Sequence, residues 1–266
     1  MTSIWSQRLL DAVLFVFAAV LLVVLYSPLA LSLVYSLIPV ENGILDWAHP
    51  SVGPYLRMWD DPLIASAVRT TLLVGSVSVI LAVILGVACA LFVTSRLAVH
   101  TWLIEALVFM PFLLPPIVTG LSLLIYFDAV GIPRGTWTII CGHTLFVLAV
   151  IYKLVSDRLR ALPRSLFEAA ADLGGNGVQV FTIIVWPLIQ PVVITAAILA
   201  FALSFDETLI TAFLAGTNMT LPVRLWAMMR VGFSPSINAL VTIVIMASAA
   251  IAVIVSARIR REQSEQ

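Results

Sequence analysis

Six apolar runs constrain this chain more than any other feature, because each comes close to or exceeds the ~20 residues that cross a hydrocarbon core as a helix. They are Ala12 to about Ile38, Thr70 to Ser95, Ala106 to Phe127, Trp137 to Tyr152, a stretch from near Pro187 to just before Asp206, and Ile237 to Ala257. The composition agrees: 62% of residues are hydrophobic and 11% are charged, against roughly 25% charged in a soluble domain. A water-soluble fold could not hide that much apolar surface, so the bilayer is the expected solvent. Only helices and closed barrels satisfy the backbone in lipid, and the alternation of a barrel strand is absent. The expectation is an all-α membrane protein of about six transmembrane helices, with residues 1–266 forming a single transmembrane domain. The first run is too long for a signal-peptide core and no Ala-x-Ala site follows it, so it is expected to stay as an anchor.

Arginine and lysine placement sets orientation. With the N-terminus inside, nine fall on the cytoplasmic side (Arg8, Arg96, Lys153, Arg158, Arg160, Arg164, Arg258, Arg260 and Arg261) and five outside (Arg57, Arg69, Arg134, Arg224 and Arg230). Both termini are therefore expected in the cytoplasm. The formal net charge is zero, which argues against nucleic acid as a partner. Cys89 and Cys141 lie inside apolar runs with no zinc or redox spacing, and read as small core residues. No Gly-x-x-x-x-Gly-Lys-Ser/Thr loop occurs, and no Ser/His/Asp or metal-binding cluster is visible. The chain is thus expected to be neither an ATPase nor another kind of enzyme, and to carry no cofactor or metal of its own.

The segment 156–187 joins the fourth and fifth runs and is not a plain linker. After Asp157, Arg158, Arg160 and Pro163 comes Ser165-Leu166-Phe167-Glu168, a Ser-x-x-Glu capping-box pattern. Ala169, Ala170 and Ala171 are the strongest helix formers, Asp172 follows, and Gly174 and Gly175 stop the helix. The pattern predicts about eight helical residues, roughly 12 Å long. Such a helix barely forms alone in water, and it carries Leu166, Phe167 and Leu173. It either packs on its own bundle or docks against another protein, and periodicity leaves both open.

Glu168-Ala169-Ala170, Gly174, Ile184 and Pro187, at these spacings, resemble the EAA loop of ATP-binding-cassette import permeases, with Trp186 where leucine is usual. The resemblance extends from the second run to the C-terminus and is strongest to the spermidine/putrescine permeases of the second type. It is carried by Pro115 to Leu124, by Leu203-Ser204-Phe205-Asp206-Glu207, by Leu221-Pro222-Val223-Arg224 and by Val231 to Leu240. Pro116 stands where that family often has an acidic residue. The resemblance implies the type I ABC importer permease (MetI-like) fold. It also implies a second homologous permease subunit, a dimer of cytoplasmic ATPase subunits that bind ATP and Mg, and an extracytoplasmic solute-binding protein. Ser165, Phe167, Glu168, Ala169, Ala170, Asp172, Gly174, Ile184 and Pro187 would form the ATPase-coupling loop. The implied cargo is a polyamine such as putrescine or spermidine, or a related organic cation.

Two adjacent carboxylates, Asp206 and Glu207, end the fifth run. Acidic groups near membrane depth are costly and often functional, and these would attract a cation; the bland reading is a solvated helix end or a pair with Arg224 or Arg230. Tyr126, Asp128 and Trp226 are further pathway candidates, since aromatic faces hold alkylammonium groups, but an interfacial aromatic belt explains the rings equally. Pro111, Pro115 and Pro116 break the ladder of the third run and mark a kink or a hinge. His143 stands alone in the fourth run and reads as structural. Glu105 is expected to pair with Arg96 or to be solvated. A self-contained secondary transporter, or an importer for an amino-acid derivative, is the alternative function; inverted repeats and intramembrane charges, usual in secondary transporters, are not evident.

Overall fold

The computed structural model describes residues 4–41, 44–95, 100–231 and 235–264. Of the residues named above, Arg96 and Gly232, Phe233 and Ser234 lie outside this set. The chain divides into two compact units, one made of residues 1–62 and 227–266, the other of Leu63–Trp226.

The first unit is built on helix α1 (Ile4–Tyr35), whose apolar residues go all the way round. Side chains such as Phe15, 75% exposed, have no protein to pack on, and an all-round apolar helix is at equilibrium only in lipid. A short antiparallel pair follows, β1 (Val40–Glu41) with β2 (Ile44–Leu45), in register Val40 to Leu45. Helix α2 (Gly53–Trp59) starts with Pro54 in its first turn, where the missing N–H costs nothing. The Ser36 and Tyr55 hydroxyls, 2.7 Å apart, tie the end of α1 to α2. Helix α12 (Pro235–Ser264) packs along both α1 and α2.

The second unit holds α3 (Pro62–Thr94), α4 (Thr101–Leu113), α5 (Pro116–Val130), α6 (Thr136–Arg160), α7 (Arg164–Asp172), α8 (Gly177–Gln179), a π-helical segment (Val180–Val185), α9 (Trp186–Asp206) and α10 (Leu209–Leu214). Helix α11 (Leu221–Val231) starts in this unit and runs past its end. Helix α6 is the inner helix: Ile139, Val147, Ile151 and Val155 are wholly buried. Its neighbours reach it through small residues. Ser78, Ala82, Gly86 and Ala90 repeat every four positions on α3, as do Ala196, Ala200 and Ser204 on α9, and all are buried. A Cβ on Gly86 would come within 3.2 Å of the Tyr152 backbone nitrogen. Lipid is as apolar as leucine, so close backbone approach and van der Waals contact hold such helices together.

Four helices are long and apolar enough to cross a membrane: Leu10–Tyr35 of α1, α3, α6, and the continuous helix Gly177–Asp206. The third expected run is not one helix. Helices α4 and α5 meet at Leu114 and Pro115 with a bend of 107°, far beyond a proline kink, so together they count as one broken span or a re-entrant pair. Span five starts about ten residues before Pro187, because a π turn lets the helix pass the proline. Ring and missing N–H both disrupt a regular α ladder, and the Trp186 N–H instead reaches back to Phe181, the wider hydrogen bond of a π-bulge. At the other end, residues 156–160 belong to α6, and Lys153 pairs with Asp157 across one turn at 2.9 Å. The connection between α6 and α8 thus shrinks to residues 161–176. Of the two cysteines, Cys89 is partly buried against the core but Cys141 is exposed, so only the first is a core residue.

The short helix α10 sits in the tightest packing of this unit. A Cβ on Gly142 of α6 would lie 2.6 Å from Ile210 Cγ2, and one on Gly120 of α5 would lie 2.9 Å from Phe213 and 3.1 Å from the Ile210 Cα. Overpacking of this kind costs ~1–3 kcal/mol. Gly142→Ala is therefore expected to lower the apparent melting temperature of the detergent-purified permease by several degrees, whereas Gly177→Ala, where nothing lies within 4 Å, leaves it unchanged; a differential scanning measurement compares the two.

Candidate functional site

The first group of residues surrounds α7. The helix begins at Arg164, so Ser165 already lies inside its first turn and is not the N-cap; its length is nine residues. The reciprocal capping box sits one helix later, where the Asn176 side chain accepts from the Gln179 N–H at 2.9 Å and the Gln179 side chain accepts from the Asn176 N–H at 3.0 Å. That Asn-x-x-Gln signal was in the sequence and was missed. The end of α7 is as expected: Gly174 has φ +76°, and the Gly175 N–H bonds the Ala170 carbonyl at 3.0 Å. This is the six-to-one bond of a Schellman cap, which favours glycine at the left-handed position.

Ala170 is the buried residue of α7. Ser165, Phe167, Glu168, Ala169 and Asp172 are exposed, as are Gly174 and Pro187, while Ile184 is half-buried in the π segment. Leu173 is 89% exposed, and Val178 and Ile183 are exposed as well. Helix α7 thus shows a largely uncovered apolar surface next to Glu168. Phe167 also edges a cavity of about 800 Å³, shared with Leu91, Thr94, Leu159, Arg160 and Val185. Beside it, Glu105 pairs with Arg160 at 2.7 Å, not with Arg96, and the Tyr152 hydroxyl donates to the same carboxylate oxygen at 3.2 Å. Both charged partners are partly exposed, so the pair contributes at most ~1 kcal/mol and serves to connect α4 with α6.

The second group lies at the far end of α9, about 30 Å from Pro187 by helical rise. Asp206 is the last residue of α9 and is exposed. Glu207, its neighbour, is 8% exposed. Its carboxylate accepts the N–H groups of Leu209 and Ile210, each at 2.9 Å, and so caps the start of α10 with the sign the helix dipole favours. Glu207 is therefore not a solvated helix end, and the two carboxylates have separate surroundings.

His143 lies between α9 and α10, 1% exposed. Nδ1 is 2.8 Å from the Ser204 hydroxyl and Nε2 is 2.8 Å from the Thr211 hydroxyl. The Thr211 hydroxyl donates to the Glu207 carbonyl at 3.0 Å. The far end of α10 is held too, with Thr138 Oγ1 and the Gly135 N–H both donating to the Leu214 carbonyl. The sequence gave no hint of these partners, which are 61 and 68 residues from His143.

The remaining candidates stand apart from Asp206. Tyr126 and Asp128 are exposed near the C-terminal end of α5. Gly120 of that helix faces Ile210, while Phe127 clusters with Leu214 and Ala215, so Tyr126 and Asp128 lie toward the far end of α10. Tyr126 stacks edge-on against Phe127, with ring centroids 5.6 Å apart. Trp226 is partly exposed on α11, a helix whose first N–H, that of Leu221, bonds the Thr71 hydroxyl of α3 at 2.7 Å.

Comparison with known proteins explains why these elements occur together. Residues 82–261 match the family of binding-protein-dependent transport system inner membrane components. The putrescine transport system permease protein PotI of Escherichia coli K12 is 34% identical over 229 residues, covering 83% of this chain and 81% of that protein. The spermidine/putrescine transport system permease protein PotC of Haemophilus influenzae is 29% identical over 86% of this chain and 90% of its own length. Among solved structures, a permease chain of a bacterial ABC transporter importing the acidic polysaccharide alginate superposes with a TM-score of 0.74 at 15% identity, over 97% of this chain and 98% of that one. The MetNI methionine transporter in an inward-facing form gives 0.62 at 18% identity, over 77% and 97%. These structures share the type I importer permease fold with this chain. With a family match over most of its length and a relative one-third identical, the chain belongs to the binding-protein-dependent inner-membrane transport components and is a permease subunit of an ABC importer.

Proposed function

We propose that this chain forms half of the translocation pathway of an ATP-driven importer for polyamines, putrescine or spermidine or a related organic cation. Both termini face the cytoplasm, in keeping with the arginine and lysine count. A second homologous permease supplies the other half, a dimer of cytoplasmic ATPase subunits binds ATP and Mg, and an extracytoplasmic binding protein delivers the cargo. Residues 156–187 are the coupling loop within a single permease domain. The observation that carries this reading is α7 itself: Glu168, Ala169 and Gly174 occupy the spacing of the coupling motif on a helix whose apolar surface is largely uncovered. PotI, at 34% identity, and PotC carry putrescine and spermidine/putrescine in their names, which points to the cargo class.

The geometry explains how the two ends communicate. Ser165, Phe167, Glu168, Ala169, Ala170 and Asp172 present the docking helix, and the Gly174 cap sets the angle at which the chain leaves it. The helix that follows passes Ile184 and Pro187 and continues without interruption to Asp206. A push on α7 is therefore delivered along one rod of about 30 Å to the carboxylate end. There Asp206 draws a cation to the pathway and repels anions, and Tyr126, Asp128 and Trp226 line its approach.

Two substitutions test the two ends in the reconstituted complex. Glu168→Lys reverses the charge on the docking helix; uptake should fall at least ~tenfold while the inserted amount holds, and ATP hydrolysis should no longer respond to the loaded binding protein. A ~1.4 kcal/mol loss of docking suffices for that factor. Asp206→Asn should reduce putrescine uptake about tenfold, whereas Glu207→Gln, which keeps an acceptor for the two α10 amides, should change it less than about twofold. Equal effects at both positions, or none at either, would reject Asp206 as the pathway carboxylate.

A further inference from the structure

The hydrogen-bond chain at the α9–α10 break has one consistent proton arrangement. Thr211 has a single hydroxyl proton and donates it to the Glu207 carbonyl at 3.0 Å. The 2.8 Å contact from His143 Nε2 to the same hydroxyl oxygen therefore needs the proton on Nε2. A neutral imidazole then has its lone pair on Nδ1, and Ser204 fills it by donating across 2.8 Å. Each donor finds an acceptor with none left over, which is what a fully buried polar network requires. The chain runs from α9 (Ser204) through α6 (His143) to α10 (Thr211), and returns to the backbone at Glu207, one residue from Asp206.

The packing around it leaves α10 no freedom to slide. Gly120 and Gly142 let the helix approach until even one methyl group would collide with Ile210 or Phe213. Sterics thus fix how deep α10 sits, and the His143–Thr211 bond fixes its register along α6. With the register set, the turn at Glu207 is set, and so is the direction in which α9 ends.

We infer that His143 is the positioning residue for Asp206: by locking α10 to α6 across the break, it fixes the turn from which the Asp206 carboxylate meets a cationic substrate. This rests on the pathway reading of Asp206 given above. His143 itself is enclosed and touches no substrate; its effect on transport passes through Asp206. The amide of asparagine falls near Nδ1 and keeps the Ser204 bond but loses Thr211, whereas the longer glutamine places a donor near Nε2 and keeps Thr211. The two conservative replacements therefore separate the lock from simple space filling.

The test is putrescine uptake by the whole complex in proteoliposomes, normalised to assembled complex. His143→Asn should lower uptake about tenfold, the scale of one buried hydrogen bond left unmade, and His143→Gln should stay within about twofold of the original. In an Asp206→Asn background, His143→Asn should cause no further loss. If His143→Asn reduces uptake by the same factor in both backgrounds, or if Gln and Asn are equally damaging, the positioning role is overturned while the pathway reading stands. If Asp206→Asn alone leaves uptake intact, the pathway reading itself is wrong and the inference goes with it. Should His143→Asn not assemble, Thr211→Val, which removes only the acceptor of the Nε2 proton, takes its place with the same outcomes expected.

Discussion

Hydrocarbon offers the backbone no hydrogen bonds, so each proline inside an apolar run forces a repair within the protein, and those repairs shape the molecule. At Pro115 and Pro116 the chain turns through 107°, and the Thr119 hydroxyl donates to the Pro111 carbonyl at 3.3 Å, in place of a partner the broken ladder lacks. At Pro187 the helix widens by a π turn and carries on. The first repair brings α5 round so that Gly120 can receive α10; the second keeps α7 and Asp206 on one continuous helix. Proline thus does opposite things at two places, and the neighbouring residues decide which. Where two prolines adjoin, the residue before each is pushed out of the helical region, and the chain must turn.

Much of the fold was legible in the sequence, because length and apolarity alone announce a span. What the runs could not give was where helices stop relative to the membrane. Helix α3 begins at Pro62 and α6 continues to Arg160, so charged residues ride on ends that project beyond the hydrocarbon. Run-counting ends a span at its first charges and places them in a loop. The third run was misread for a related reason: hydropathy sees 22 consecutive apolar positions but not the turn inside them. The repeats of Ser78, Ala82, Gly86 and Ala90, and of Ala196, Ala200 and Ser204, were in plain view and predict the faces that α3 and α9 bury.

The candidate site was legible in part. The coupling motif was found because its residues are close in sequence and its helix stop is local chemistry. The Ser165 capping box failed because a rival start, with Pro163 just before the first turn, won by one residue. Asp206 and Glu207 look alike in sequence, yet one is exposed and the other caps α10; that difference comes from where α10 folds back, which no local pattern encodes. The partners of His143 are likewise non-local. A lone histidine in a span gives no sign of whether a serine and a threonine from later elements will meet both its nitrogens.

These features describe a permease with a soft contact at one end and a stiff one at the other. The exposed face of α7 has little of its own protein to hold it and is suited to a partner, while α10 is pinned by glycine sockets and a saturated hydrogen-bond chain. The rod between them moves load from the first to the second, where a carboxylate waits for a cation. The most direct measurement of that account is ATP-dependent accumulation of labelled putrescine by proteoliposomes holding this chain with its partner permease, ATPase and binding protein. The account predicts saturable accumulation against a gradient, competed by spermidine and unaffected by an anionic oligosaccharide. ATP hydrolysis stimulated by the loaded binding protein without putrescine accumulation, or equal competition by the anion, would contradict it.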